Sequence, residues 1–486
     1  MSELSWLIAG LCVGAAGTFI GQLFLRWKTQ NAETIPKMLA SHFRRVSIQQ
    51  ITVSERVFPF RVRADLQKSL DEILGDGFRI EHFCGVRKEV SHSGFSLTDC
   101  FKEQIYGSAE SVPPEYEAMD IGDATPLRVL KIGFWLLKKG QLPLALLAAP
   151  KGGFVGDATA ISLQIATCNT PEGSQASQAF FDRLEKLLQR MDSYRGKILS
   201  LEQSPGYYTG QSTGIQVHKL RRVERGQVIL PEQTLKLLER NVMQFVRHRA
   251  KLGELSLSSK KGLLFYGPPG TGKTHTIHYL AGFLPGHTTL LISGDQVGML
   301  KEYMTLARLL QPSIVVMEDV DLIARAREQM RGPCEESVLN ILLNEMDGLK
   351  EDAEILFLLT TNHPESLEAA LSSRPGRIDQ AIEFPLPDHN GRQKLARLYS
   401  HGIQLTDDVF SSIVRRTEGV SAAFIKELMR RSAQVCLERN ANTEIAVEDI
   451  DAALNEMLFQ GGSLNLKILG AGRIGFGSSG VSESKD

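Results

Sequence analysis

The chain has 486 residues, 42% of them hydrophobic and 23% charged, with 55 basic against 56 acidic side chains and a formal net charge of -1. This is the composition of a globular protein, long enough for several folding units at ~150 residues each. The balanced charge gives no general reason to bind nucleic acid, which calls for a basic face or stripe. The six cysteines (Cys12, Cys84, Cys100, Cys168, Cys334 and Cys436) form no CxxC pair, so spacing points away from a zinc knuckle or a disulfide framework and towards a reducing compartment.

Residues 5–25 (SWLIAGLCVGAAGTFIGQLFL) carry no charge and come close to the ~20 residues needed to cross a bilayer core. A single transmembrane helix is expected within an anchor spanning residues 1–29. Glu3 precedes the run, while Arg26, Lys28, Lys37, Arg44 and Arg45 follow it. That bias places the rest of the chain on the cytoplasmic side of a bacterial inner membrane, or on the matrix side of the mitochondrial inner membrane in a eukaryote. The competing readings are a buried core helix and a cleaved signal peptide, the latter disfavoured because no basic region precedes the apolar run.

Residues 30–217 read as an α+β middle domain that selects a client or partner. Residues 142–149 and 160–168 have strand character, and residues 177–194 place Phe180, Leu184, Leu187, Leu188 and Met191 at helical spacing. Pro, Gly and Ser mark residues 108–120 and 202–214 as a surface excursion and a linker. His82, Cys84 and His92 lack a metal-ligand spacing.

Residues 267–274 read GPPGTGKT, between a strand-like run (262–266) and a helix-like run (275–282). Such a loop turns its N–H groups towards phosphate oxygens at a helix N-terminus, where the macrodipole favours negative charge. Gly267, Pro268, Pro269, Gly270, Thr271, Gly272, Lys273, Thr274 and the adjoining His275 are therefore assigned to ATP. Lys273 supplies a charge for the β and γ phosphates, and Thr274 a hydroxyl for Mg²⁺. Further on, residues 313–321 (SIVVMEDVD) form an apolar strand ending in carboxylates, and residues 355–362 (ILFLLTTN) a second one ending at Asn362. Strand tips are where α/β sheets place ligands. Carboxylates there can hold Mg²⁺ and orient the water that attacks the γ-phosphorus.

Over residues 223–458 these features, together with NILLNEMDGL (340–349) and SRPGRID (373–379), resemble the AAA family of P-loop ATPases within the AAA+ class. The resemblance implies a large subdomain at 218–388, a parallel sheet flanked by helices, and a helical lid at 389–459. It makes Asn362 the sensor residue and Arg374 and Arg377 the arginine fingers that reach a neighbouring subunit's nucleotide, hence a ring homo-oligomer with a hexamer as default. GVSAAFIKEL (419–428) stands where the family has G-x-S-G-A-D-L.

Three departures from the family stand out. The usual Asp-Glu pair is inverted to Glu318-Asp319, which assigns Glu318 to Mg²⁺ and Asp319 to water activation. Residues 293–308 (SGDQVGMLKEYMTLAR) are shortened, leaving Val297, Gly298 and Met299 in place of an aromatic pore tripeptide. An extra serine precedes Arg374. In its inverted pair, short pore segment, TTNH strand and N-terminal span, the chain resembles the mitochondrial AAA translocase of the Rieske iron–sulfur protein, a likeness that does not extend to residues 35–217. No HExxH occurs, so the sequence brings no metalloprotease motif of that type.

The expected function is an ATP hydrolase coupling ATP turnover to remodelling, disassembly or translocation of protein clients. The alternative is a nucleotide-gated membrane scaffold with little or no hydrolysis. Residues 460–486, rich in Gly and Ser, are expected to form a mobile tail.

Overall fold

The computed structural model describes residues 34–44, 46–87, 96–101, 109–152, 158–190, 193–202, 214–321, 338–350, 352–367, 377–440 and 444–460. The expected span at 5–25, Arg374 and residues 461–486 lie outside them. Among the described residues no helix is long and apolar enough to cross a membrane. The chain divides into two compact units, one of Met1–Ser193 with Glu202–Gln216 and one of Tyr194–Leu201 with Val217–Asp486.

The first unit is built on helix α1 (Ile35–His42), strand β1 (Ile51–Pro59), helix α2 (Arg63–Gly75), strands β2 (Arg79–Arg87), β3 (Glu110–Val112), β4 (Tyr116–Met119), β5 (Leu127–Leu130), β6 (Gly133–Lys139), β7 (Leu142–Gly152) and β8 (Ala158–Cys168), and helix α3 (Pro171–Leu188). Six strands form a sheet in the order β1-β8-β7-β6-β2-β3, while β4 and β5 pair separately. Alternate side chains of a strand face opposite sides, and here both sides are covered. Trp135, Leu137, Leu144 and Leu146 pack with Leu66 and Leu70 of α2 and Phe180, Phe181 and Leu184 of α3. Phe134, Leu136, Ala145 and Leu147 pack with Ile35, Met38 and Leu39 of α1. Two-sided burial is why β6 and β7 read as nearly unbroken apolar runs. Helix α3 starts six residues before the apolar periodicity suggests, because Thr170 caps it by accepting from Gly173 N and Pro171 occupies its first turn.

The second unit holds β9 (Ile198–Leu201), the last two residues of β10 (Ile215–His218), α4 (Glu232–Leu238), α5 (Phe245–Glu254), β11 (Lys261–Tyr266), α6 (Lys273–Phe283), β12 (Thr288–Ile292), α7 (Leu300–Leu309), β13 (Ser313–Met317), α8 (Val338–Asp347), β14 (Ile355–Thr361) and β15 (Gln380–Glu383). In its sheet six strands run in the order β9-β12-β13-β14-β11-β15, all of these pairs parallel. Strands covered on both faces lose polar alternation, and every residue of β13 and β14 is buried. Leu263, Phe265, Ile314, Val316, Leu356 and Leu358 form one face of this core with Ile277 and Leu280 of α6.

Residues 194–201, placed by sequence with the middle domain, cluster with the second unit. Thr289 N donates to Lys197 O at 2.9 Å, Leu290 pairs with Leu199, and Leu201 N donates to the Tyr303 hydroxyl at 2.7 Å. A four-residue strand is too short to announce its sheet.

A helical subdomain follows, made of α9 (His389–Tyr399), β16 (Gln404–Leu405), α10 (Asp407–Arg416), α11 (Ala422–Asn440), β17 (Glu444–Ile445) and α12 (Val447–Asn455). Asp388 and Thr406 cap α9 and α10, accepting from Gly391 N and Val409 N. Leu395, Ile413, Phe424, Ile425, Leu428 and Ile450 fill its core.

Candidate nucleotide-binding site

Parallel neighbours bring the sequence motifs together. Tyr266 ends β11 opposite Thr361 of β14, and Met317 ends β13 opposite Leu359 of the same strand. Gly267, Glu318 and Asn362 therefore leave the sheet at one edge, beside the N-terminus of α6.

The loop after β11 requires glycine at two tight points. At Gly267, with φ of 145°, a Cβ would lie 2.3 Å from Phe384 O. At Gly270, with φ of 76°, it would lie 2.8 Å from Ser421 Oγ and 2.9 Å from the Ala423 Cβ. Gly270 O accepts from Ala423 N at 3.1 Å, so the loop is closed directly against the start of the lid helix α11. Gly272 is the N-cap of α6, whose first-turn N–H groups have no partner within the helix and face incoming anions.

Lys273 is buried, 7% exposed. Its Nζ donates to Gly267 O at 2.7 Å, Pro268 O at 3.0 Å and Asn362 Oδ1 at 2.8 Å. Burial pushes its pKa down to about 8, against the opposing charges of Asp319 and Asp321. Asn362 Nδ2 donates to Asp319 Oδ1 at 2.9 Å, so the amide bridges ammonium and carboxylate. Both ends of the amide are fixed by the chemistry of their partners, acceptor to lysine and donor to aspartate. Asp319 adopts a positive φ of 48° and is held by its own N–H to Thr360 Oγ1 at 3.0 Å. Its carboxyl pKa is raised, first by burial and then by the charges of Asp321 and Glu318, which outweigh Lys273 and Asn362. Asp321, 1% exposed, accepts from Thr361 Oγ1 at 2.7 Å and Asn362 N at 3.2 Å, which locks the tip of β14.

A cavity of about 370 Å³ opens over these groups, lined by residues 269–276, Asp319, Thr360 and Asn362, by residues 227–230 on one side, and by Leu395, Tyr399, Ala422, Ala423 and Lys426 from the lid. The size suits a ligand pocket of ~300–1,000 Å³. His275 Nε2 lies 3.2 Å from Gln227 O and, since a carbonyl only accepts, must be the donor there; burial lowers its pKa. Glu318 is absent from the lining, and its Oε1 is buried without a hydrogen-bond partner. An acceptor-only oxygen left so is the kind of ligand a Mg²⁺ ion takes, and Thr274 offers a hydroxyl on the cavity wall. The side chains present fit both ATP and Mg²⁺.

Of the two expected fingers, Arg374 lies outside the described residues. Arg377, 16% exposed, pairs with Asp347, while its Nη1 is buried without a partner; it does not line the cavity. In the shortened pore segment Val297 is buried, and Gln296 and Tyr303 hold the end of β9: Gln296 Nε2 donates to Leu201 O at 2.8 Å, and the Tyr303 hydroxyl donates to Gln296 Oε1 at 2.9 Å. Sequence reasoning missed the 227–230 wall and the lid residues Tyr399 and Lys426, which have no local motif and reach the cavity through tertiary packing alone.

Residues 263–386 match the family model described as "ATPase family associated with various cellular activities (AAA)". The chain is 32% identical over 257 residues to the ATP-dependent zinc metalloprotease FtsH 3 of Synechocystis, covering 50% of this chain and 41% of that protein. It is 31% identical over 238 residues to the cell division cycle protein 48 homolog of Archaeoglobus fulgidus, covering 47% and 32%. To the 26S proteasome regulatory subunit 8 homolog of Schizosaccharomyces pombe it is 31% identical over 249 residues, covering 48% and 60%. The chain thus spans less than two thirds of each of these curated relatives. The phosphate loop, the carboxylate strand and the strand ending at Asn362 meet at one cavity within the segment, residues 263–386, that matches the AAA family model.

Proposed function

We propose that this protein is a membrane-anchored AAA ATPase, working as a ring of identical subunits, by default a hexamer, that couples ATP hydrolysis to remodelling, disassembly or translocation of protein clients. The observation that carries this reading is the chain of hydrogen bonds from Lys273 through Asn362 to Asp319, set in a cavity whose other wall is the lid. The amides at the start of α6 receive the phosphates, and Lys273 exchanges an intramolecular acceptor for a phosphate oxygen. Asn362 then has its amide free to position a water beside Asp319, which takes the water's proton as its oxygen attacks the γ-phosphorus. Thr274 and Glu318 would hold Mg²⁺, which supplies charge neutralisation at the β and γ phosphates.

Because Gly270 O is bonded to Ala423 N, a change at the phosphates is transmitted to the lid helix, and a lid that changes angle is how a ring does mechanical work. Arg377 and Arg374 would serve a neighbouring subunit's nucleotide, with the Asp347 pair exchanged for the γ-phosphate. The relatives support a protein client, since their names include a protease and a proteasome regulatory subunit; without an HExxH motif, this chain would contribute the remodelling part. The uncharged, apolar sequence of residues 5–25 supports the membrane anchor, and the basic residues that follow it, with the resemblance to the mitochondrial translocase of the Rieske protein, support placing the ATPase on the cytoplasmic or matrix side. The middle domain of residues 30–217 would select the client.

The scaffold alternative is favoured by one feature: Asp319 is a methylene shorter than glutamate and is already bonded to Asn362. Asp319→Asn separates the readings. The account predicts retained ATP binding with turnover reduced ~10²–10⁴-fold. Equal, negligible turnover in wild type and variant would support the scaffold.

A further inference from the structure

One buried carboxylate at the edge of the sheet lies outside the cavity and is bonded to a residue that lines it. Asp321 is absent from the cavity lining and 1% exposed. Its Oδ1 accepts from Thr361 Oγ1 at 2.7 Å and from Asn362 N at 3.2 Å, while its Oδ2 is buried without a partner. Thr361 Oγ1 in turn accepts from His363 N at 3.0 Å, so one hydroxyl joins Asp321 to the backbone just past Asn362. The neighbouring Thr360 points to the opposite face of β14 and accepts from Asp319 N at 3.0 Å. The two threonines thus hold Asp319 and Asp321, on either side of the buried Val320, against the end of β14. An unbonded oxygen on a buried carboxylate is costly, and an apolar side chain would fill the same space without that cost. The bonded oxygen must therefore have a task that an apolar residue could not perform.

Asn362 is tied twice. Its side chain bonds Lys273 and Asp319, and its backbone N–H bonds Asp321. When Lys273 turns to a phosphate oxygen, the side chain loses one of its two bonds, whereas the backbone bond has no part in the exchange. We propose that Asp321 is a positioning residue for ATP hydrolysis: through the Thr361 hydroxyl and the Asn362 N–H it fixes the Asn362 amide at the place of the attacking water, without touching the nucleotide. The inference rests on the hydrolysis reading above and deepens it. A shift of ~1 Å in a positioning group can cost ~10²-fold in rate, so the effect belongs to turnover and not to ATP affinity.

The test is steady-state ATP turnover of the full chain, set beside ATP affinity from displacement of a fluorescent ATP analogue. Asp321→Ala should lower kcat ~10²-fold and leave affinity nearly unchanged, and Asp321→Asn, which keeps an oxygen acceptor, should recover about tenfold of that loss. Thr361→Val, which removes only the hydroxyl, should lower kcat about tenfold with affinity kept, and Thr361→Ser should restore it. Adding Thr361→Val to Asp321→Ala should cost nothing further, because the two residues act through one contact. Should Asp321→Ala not fold, the Thr361 pair decides by the same criteria. Equal falls in kcat and affinity, additive losses in the double variant, or no recovery with Thr361→Ser would show that Asp321 serves the fold alone and overturn the proposal. Unchanged kcat in Thr361→Val would overturn it while leaving the hydrolysis reading intact, whereas a wild-type chain that binds ATP without hydrolysing it would overturn both.

Discussion

The phosphate-loop lysine should make ATP binding take up protons. In the nucleotide-free chain, burial holds Lys273 at about 8 against an ordinary value of 10.5; phosphate oxygens beside it favour the charged form and raise it again. At pH 8 about half of the free chains carry a neutral lysine, so binding should draw in about half a proton per site, falling to about a tenth at pH 7. Above pH 8, affinity should drop about tenfold per pH unit until the bound lysine itself titrates. The same depression has a stability signature of definite sign. Between about 8 and 10.5 the unfolded chain binds more protons than the folded one, so the nucleotide-free chain should gain stability as pH rises through that window, by up to about 3 kcal/mol. Lys273→Met should abolish the gain. Calorimetry of ATP binding in two buffers of different ionisation enthalpy reads the protons directly, and His275, lowered by burial, is neutral at pH 8 and does not confuse the count. No uptake at pH 8, or equal uptake at pH 7 and 8, would refute the reasoning.

Gly270→Ala should destabilise by about 1–3 kcal/mol and weaken ATP binding, because its positive φ and its contacts with Ser421 and Ala423 leave no room for a methyl; Gly282→Ala, with nothing within 4 Å in helix α6, should be neutral or stabilising, and equal melting temperatures for the two would contradict the lid contact. Tyr303→Phe removes a fully buried hydroxyl that accepts from Leu201 N and should cost about 1–3 kcal/mol, with faster hydrogen exchange at the Leu201 amide; unchanged exchange would show that the clamp on β9 is not formed. Arg377→Ala should keep ATP affinity and lose ~10³-fold or more in turnover, with recovery in rings mixed with wild-type subunits. If Asp347→Asn, which breaks the same pair, is as damaging and mixing restores nothing, Arg377 is structural.

What could be read from the sequence was what is local or strongly patterned. The glycines and lysine of the phosphate loop declare themselves as a local motif, and the strands β7, β11, β13 and β14 because burial on both faces leaves few polar residues in them; β8 shows through its apolar and β-branched residues although it buries Ser162, Gln164 and Thr167. Asn362 and Asp319 could be named from their place at strand tips, and the structure joins them by one hydrogen bond. The start of α3 was hidden because its first turn is polar, with Thr170 and Pro171 as the real signal. Residues 198–201 were misplaced because pairing with β12 is a long-range event that four residues cannot encode. Tyr399, Lys426 and the 227–230 wall were invisible for the same reason: each reaches the cavity only through packing between segments distant in sequence, Val228 against the sheet core and Tyr399 and Lys426 from the lid.

The most direct test of the central claim is Mg²⁺-dependent ATP turnover of the detergent-purified full chain as a function of protein concentration, with Asp319→Asn alongside. The account predicts turnover per subunit that rises with concentration as rings assemble and vanishes in the variant. Turnover independent of concentration, or surviving in Asp319→Asn, would contradict a ring-forming ATPase that uses this carboxylate.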